Sequence, residues 1–270
     1  MKVVLFCGGL GTRLMAQSRT TPKPIVPIGP RPILWHLMKY YAHYGHREFI
    51  LCLGHHGQMI REYFLENGNG HGAPHSSALG ITGHPVVLHG RNMEDWEITC
   101  VDTGLETNIG QRLRAVEPYL NGDDVFLANY ADGLTDLPLP SYIDLFRNHD
   151  AVGAFACVRP PQSFHVVTVN GDDTVRSIQP AIDSGLWING GFFILRREIF
   201  DYLHNGRDLV EGAFPALTRR ERLLAYRYPG FWACMDTFKE YQQLQSQYER
   251  GDAPWTVWRE HVRQARAVGR

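Results

Sequence analysis

No apolar run in the 270 residues approaches the roughly 18 needed to cross a bilayer, so no membrane span is expected. The chain opens directly into a strand-like segment without a basic leader, and no signal peptide is read there. Charge of one sign is missing too. Lys plus Arg, 27, nearly cancels Asp plus Glu, 28, and this excludes a global field for nucleic acid or an anionic membrane. Any polyanion must be met by locally placed charge. Cysteine is sparse: Cys7, Cys52, Cys100, Cys157 and Cys234 are scattered, odd in number, and without zinc-ligand spacing. Reduced, buried thiols in the cytoplasm are the expectation. The adjacent pair His55-His56 lacks a third ligand and reads as a solvated loop. There is no internal repeat or long low-complexity linker, which favours one compact α/β unit with insertions. Two familiar phosphate loops are absent as well. No G-x-x-x-x-G-K-[ST] occurs, and Gly9-x-Gly11 is followed at position 14 by leucine, not glycine.

What is present is concentrated between Leu5 and Pro32. The apolar run Lys2 to Cys7 predicts a buried strand, and Gly8, Gly9 and Gly11 follow where the backbone must turn sharply and approach a ligand. Arg13 adds a guanidinium suited to two phosphate oxygens, and the backbone N–H groups of Gly8 to Thr12 add neutral donors. Lys23 stands between two prolines that fix its backbone. Together these parts suit a nucleoside triphosphate.

Further along, the first half alternates strand and helix. Strands are expected at 2 to 7, 48 to 53 and 124 to 129, and helices near 31 to 45, 57 to 66 and 109 to 119. This rhythm implies parallel strands joined by helical crossovers, with ligands at the carboxyl ends of the strands. The stretch Asn67 to His84 has no periodicity and reads as a mobile excursion. In the second half, Ala151 to Val158, Phe164 to Val169, Thr174 to Ile178 and Trp187 to Leu195 read as successive strands, with a hairpin turn at 170 to 173. They are expected to form an antiparallel layer under an acceptor pocket. A helix is expected after Met235-Asp236-Thr237, running to about Glu249, with Phe238, Tyr241, Leu244 and Tyr248 on one face. The predicted architecture is a Rossmann-like, mixed, mainly parallel sheet flanked by helices. It divides into a nucleotide-binding half (1–137) and an acceptor half (138–250), with a helical tail at 251–270.

Two carboxylates stand out by position. Asp132 follows the apolar strand Val125 to Tyr130, and Asp236 follows a second apolar segment, Phe231 to Met235. With water and phosphate oxygens such a pair makes a magnesium site, because Mg2+ retains waters and seldom uses an all-protein cage. A helix-capping role also suits Asp236, since a helix begins there, and the two roles are compatible.

The sequence L-F-C-G-G-L-G-T-R-L, followed by P-K-P, resembles the signature of sugar-1-phosphate nucleotidyltransferases. Within them it is most similar to glucose-1-phosphate cytidylyltransferases, through V-D-T-G at 101 to 104, A-D-G at 131 to 133, I-N-G-G-F-F at 188 to 193 and M-D-T at 235 to 237. The resemblance implies a GT-A-like fold and condensation of a triphosphate, CTP first, with a sugar or cyclitol 1-phosphate. It also implies Mg2+ held by Asp132 and Asp236, catalytic roles for Arg13, Lys23 and Asp132, and a homo-oligomer. By position it places Asp102 and Thr103 at the pyrimidine, Arg112 near the triphosphate, and Asn189 with Gly190 at the sugar. The family pattern fails on the acceptor side. Where E-K-P is usual, the chain reads S-I-Q-P-A-I-D-S-G-L-W at 177 to 187 without a lysine, and His165 replaces a small glycine. His165, charged beside an anion, is a candidate to replace that lysine. A nucleotide-binding paralogue that no longer transfers is the competing expectation. A glycosyltransferase would need a strand-end D-x-D, which Asp132-Gly133-Leu134 does not supply.

Overall fold

The computed structural model describes residues 1–9, 21–68, 86–89, 95–161 and 164–259, with 66–68 and 86–89 as backbone alone. The expected excursion lies almost wholly outside these residues, as does the end of the tail.

The central sheet grows from β1 (Val3–Phe6), every residue of which is buried. After it come a short hairpin, β2 (Pro27–Ile28) and β3 (Arg31–Pro32), and then α1 (Ile33–His43). Helix α1 turns Ile33, Leu34, Leu37, Met38 and Tyr41 onto the sheet at helical spacing. It ends where Gly45 takes φ +87, with Gly45 N–H bonded to Ala42 O and His46 N–H to Tyr41 O, the paired closure that a left-handed residue permits. The chain returns through β4 (Glu48–Leu53), α2 (Gly57–Gly68), β5 (Val86–His89) and β6 (Glu97–Asp102). Helix α3 (Ile109–Val116) then crosses back to β7 (Val125–Tyr130).

Strands β7, β1, β4 and β6 pair in parallel in that spatial order. The chain winds one way from β1 to β4 and β6, then returns to the other side of β1 for β7. The carboxyl ends of β1 and β7 therefore diverge, and a crevice opens between them.

After β8 (Gly133–Thr135) and α4 (Leu139–Arg147), β9 (Gly153–Val158) continues the same sheet. The ribbon β10 (His165–Val169) and β11 (Val175–Pro180) follows it. The segment expected as one strand at 187 to 195 is two, β12 (Ile188–Asn189) and β13 (Phe193–Arg196), both antiparallel to β9. Between them Gly191 (φ +76) and Phe192 (φ +50) leave the extended region. Asn129 enforces the break, since its buried Oδ1 accepts from Phe192 N–H at 2.8 Å and from Tyr130 N–H at 2.9 Å. Helical turns at 197–218, including α5 (Phe214–Thr218), lead to β14 (Leu223–Tyr228), which runs parallel to β9 along its other edge. Strand β15 (Trp232–Cys234) and helix α6 (Phe238–Glu249) complete the order. The central sheet, nine-stranded among the described residues, thus draws on both halves of the chain.

Alternate residues of β1 serve opposite faces. Val3, Leu5 and Cys7 join α1, Leu244 of α6 and Trp255 in one core, whereas Val4 and Phe6 join Leu113, Val116, Phe200 and Phe214 in the other. Trp255, buried completely, shows that the start of the tail packs on the domain. The expected antiparallel layer divides: β9, β12 and β13 join the central sheet, while β10 and β11 stand apart as a two-stranded ribbon. On α6 the expected apolar face is uneven, because Leu244 is buried and Phe238 is exposed.

Candidate active site

A cleft of ≈ 530 Å³ lies at the divergent ends of β1 and β7, bordered by Gly8 and Gly9, by Lys23, by Arg112 and by Tyr130 and Asp132. Its floor is built by an arginine. The capping box of Asn108 and Gln111 starts α3, and Arg112 falls in its first turn, only 4% exposed. The Arg112 guanidinium donates to Gly8 O at 3.1 Å, Leu53 O at 3.3 Å and Thr103 Oγ1 at 2.8 Å. It ties together the loops after β1, β4 and β6. Burial depresses its pKa, and neighbouring Cys52, Cys7 and Asp102 pull the other way. Arg112 is therefore a buried structural cation and not a solvated helix residue.

Gly8 and Gly54 are glycines because of this packing. A Cβ on Gly8 would collide with Arg112 Nη1, and one on Gly54 would lie 2.9 Å from the same atom. Thr103 is buried and spends its hydroxyl proton on Leu53 O at 2.8 Å. Asp102 is exposed at the end of β6, accepting from Gly104 N–H at 3.0 Å.

The carboxylates arrive by register. Strand β8 pairs with β15 so that Gly133 faces Cys234, and Met235 N–H bonds to Asp132 O at 3.0 Å. Asp132 and Asp236 therefore meet although 104 residues apart in sequence numbering. Lys23 Nζ bridges them, at 2.7 Å from Asp132 Oδ2 and 2.6 Å from Asp236 Oδ1. The side chains of Lys23, Asp132 and Asp236 are 13%, 24% and 37% exposed; Lys23 and Asp132 line the cleft and Asp236 stands behind them. Burial alone would lower the Lys23 pKa, but Asp132 and then Asp236 outweigh it and the net shift is upward.

Asp236 is not the helix cap. Thr237 caps α6, accepting from Glu240 N–H, while Glu240 Oε2 accepts from Thr237 N–H at 2.7 Å and Asp236 N–H at 2.8 Å. The Asp236 carboxylate instead meets Lys23 through Oδ1 and accepts from the Cys234 thiol through Oδ2 at 3.7 Å. Two hard oxygen donors converging on one cation are a donor set that fits Mg2+. Among the described residues no group of three or more metal-ligating side chains occurs.

In the second half of the chain, Asn189 neighbours the Tyr130 hydroxyl, and its Oδ1 accepts from Gly191 N–H at 2.9 Å; neither it nor Gly190 lines the cleft. Gly190 is buried, and its carbonyl accepts from Trp232 Nε1 at 2.8 Å. The Tyr130 pKa is pushed up to about 12 by burial first, then by Asp208 and Asp132. Sequence reasoning missed Tyr130, which resembles a core residue at a strand end, and Asp208, which caps the turn at 209–213 and accepts from Ile109 N–H at 3.2 Å. His165 stands exposed on the ribbon, opposite Pro180, and is not among the residues lining the cleft. Gly11, Thr12 and Arg13 fall outside the described residues.

A family model described as nucleotidyl transferase matches residues 2–251. The chain belongs to that family. This transferase is 37% identical over 263 residues to the glucose-1-phosphate cytidylyltransferase of Salmonella typhimurium, covering 96% of this chain and 100% of that one. It is 36% identical over 260 residues to a probable glucose-1-phosphate cytidylyltransferase of Bacillus subtilis, with the same coverage. Among solved structures it resembles UDP-glucose pyrophosphorylase complexed with UDP-glucose, at a TM-score of 0.67 and 18% identity over 93% of this chain and 98% of that one. UTP-bound UGPase from Acinetobacter baumannii matches equally, at 0.67 and 18% over 97% of each chain. At that identity the likeness speaks for the fold, and the transferase shares the mixed, mainly parallel sheet.

Proposed function

We propose that this transferase condenses CTP with a sugar 1-phosphate, glucose 1-phosphate first, to give a CDP-sugar and pyrophosphate. The observation that carries the reading is the Lys23 bridge between Asp132 and Asp236 at the mouth of a cleft floored by Gly8 and Arg112. Similarity to cytidylyltransferases over 96% of the chain favours CTP.

The chemistry asks for positioning. The nucleophile is an oxygen of the acceptor phosphate, already ionised, which bonds to the α-phosphorus as the bond to the β-phosphate oxygen breaks and pyrophosphate leaves with its electron pair. No general base is needed. What the protein must supply is relief from repulsion between two polyanions and a fixed line of approach. Lys23 faces the α-phosphate, its backbone held by Pro22 and Pro24. Arg13 meets the β and γ phosphates. Arg112 fixes the loops after β1, β4 and β6 and lends a buried positive charge to the cleft floor, while Asp102 and Thr103 border the base. Asn189 and Gly190 take the sugar, with His165 a candidate for its phosphate. Asp132 and Asp236 would hold Mg2+, which when bound supplies charge neutralisation to the phosphates. The five buried, unpaired thiols suit a reducing compartment such as the cytoplasm, and the working form is a homo-oligomer.

Pyrophosphate release across a panel of four triphosphates and several sugar 1-phosphates tests the reading. CTP with glucose 1-phosphate should give the highest kcat/KM. Release with no acceptor in the panel, despite tight CTP binding, would favour the non-transferring alternative that the missing lysine at 177 to 187 suggests.

A further inference from the structure

A file of side chains leads from the cleft across one face of the sheet. Tyr130 lines the cleft, and its hydroxyl neighbours Asn189. Asn189 on β12 pairs with Cys157 on β9, which on its other side pairs with Arg227 on β14, and cross-strand partners share a face. The alternate residues Ile188, Val158 and Tyr228 turn to the opposite core. The file therefore runs away from β1, and it ends in positive charge. Arg159, the residue after β9, and Arg227 bring their Cζ atoms to 5.4 Å and 5.9 Å from the centroid of the Trp187 ring. Trp187 is half-buried and both arginines are exposed. Because Trp187 lies two residues before Asn189, roughly 7 Å in extended chain, the ring draws both guanidiniums back toward the cleft. Arg159 Nη1 donates to Ile182 O at 2.9 Å, and Arg227 makes no side-chain hydrogen bond among the described residues. Neither pairs with a carboxylate among those residues. Two like charges gathered over one ring repel each other, and an anion is the group that relieves it.

We propose that Arg159 and Arg227 hold a second anionic group, a carboxylate or a phosphate, on the end of the acceptor sugar remote from its 1-phosphate. The proposal rests on the transferase reading, which fixes the direction of the acceptor. Its reacting phosphate must face Lys23 and Asn189 takes the sugar, so the far end of the sugar points along the file toward Trp187. The triphosphate does not compete for the pair, because in that reading it is met by Lys23 and the loop after β1, on the other side of Tyr130. A guanidinium offers either group two parallel N–H donors, and contact with the Trp187 ring limits its wandering before the ligand arrives. Glucose 1-phosphate then leads among acceptors whose sugar is uncharged, and an acidic sugar improves on it.

The test uses the full chain saturated with a CTP analogue whose α and β phosphorus atoms are joined by a methylene group, which forbids transfer. Calorimetry then gives dissociation constants for glucose 1-phosphate, glucuronic acid 1-phosphate and glucose 1,6-bisphosphate. At low salt at least one of the two acidic sugars should bind about tenfold or more tightly than glucose 1-phosphate, through charge-assisted hydrogen bonds. Which one does so tells carboxylate from phosphate. The margin should shrink as NaCl is added. Arg227→Gln should erase most of it, and Trp187→Leu, which keeps both charges but removes the ring between them, should erase part. Arg219→Gln, at an exposed arginine ahead of β14, should keep all of it. Should a glutamine variant lose its far-UV signal, Arg227→Lys replaces it, keeping the charge without the fork, and partial loss of the margin is then expected. Three sugars bound alike beside a bound analogue would overturn this proposal and leave the transferase reading standing, as would a margin that survives Arg159→Gln and Arg227→Gln together. A chain that binds neither the analogue nor any of the sugar phosphates would sink both.

Discussion

Arg112 lies so close to Gly8 that a single methyl group on the glycine would run into the guanidinium. The arginine is buried and cannot swing into solvent without abandoning the Gly8, Leu53 and Thr103 oxygens it serves. Gly8→Ala should therefore act as an overpacking change, costing about 1–3 kcal/mol, and should also weaken triphosphate affinity because the loop after β1 must shift. Arg112→Ala should cost about 2–4 kcal/mol by orphaning those acceptors. Urea titration and equilibrium binding of CTP measure both. A Gly8→Ala variant with wild-type stability and affinity would refute the packing argument.

Asp132 and Asp236 hold one ammonium between them, so they should behave as one unit. Asp132→Asn or Asp236→Asn should each lower kcat by about 10²–10³-fold, and the double variant should lose little more. Losses that multiply would divide the pair into independent sites. Lys23→Met leaves two carboxylates facing each other without a cation. In titrations with Mg2+ alone it should bind the ion more tightly than wild type, even as turnover falls.

His36 links acidity to stability. It is buried under the Trp255, Trp258 and Tyr248 rings, its Nε2 lies 2.8 Å from Ile28 O, and its Nδ1 accepts from Trp255 Nε1 at 3.4 Å. This pattern requires the neutral ring with its proton on Nε2. Burial lowers the His36 pKa to about 4, the Ile28 carbonyl opposes that shift, and Arg259 adds to it. The unfolded chain, with an ordinary imidazole near 6.5, binds the proton first. Stability is thus complete above about 6.5 and falls with pH down to about 4, by about 3 kcal/mol for His36 alone. His46, half-buried and lowered to about 4 chiefly by that burial, adds to the slope. Denaturant midpoints between pH 7 and 4 should drop, and His36→Gln should drop less steeply. Parallel slopes would show that His36 is not kept neutral.

Asn129 and Gly191 together make the break that presents Asn189. Gly191→Ala combines a positive φ with a collision against Asn129 Oδ1, and should cost about 2 kcal/mol or more. Asn129→Leu leaves the buried Phe192 N–H unpaired. Both should raise KM for the acceptor more than KM for CTP, since β1 and α3 are untouched. Equal changes in both constants would mean a general loss of fold.

How much of this is legible in sequence depends on the range of the cause. Strands β1, β4, β7 and β9 are compact apolar runs, and α1, α2, α3 and α6 are periodic, so they emerge at nearly their observed limits. β6 and β14 mix polar and apolar residues and are not announced, nor is α4. The division at Gly190 to Phe192 is invisible locally, because Asn129 causes it from another strand. The same is true of the site. Asp132 and Asp236 can be suspected from their strand ends, but their meeting needs the β8–β15 register, and the burial of Arg112 needs three loops at once. Tyr130 has no local mark at all. Thr237 with Glu240 is a recognisable capping box, and it would have freed Asp236 from the role of cap.

The ladder joining the two carboxylates is three residues long and separate from the central sheet. Short ladders open at lower free energy than the core they border. On slow heating, the capacity for turnover should therefore vanish several degrees before far-UV ellipticity does, and it should return on cooling from that interval. The upper working temperature of this protein is then set by three paired residues outside the central sheet, while that sheet is still intact.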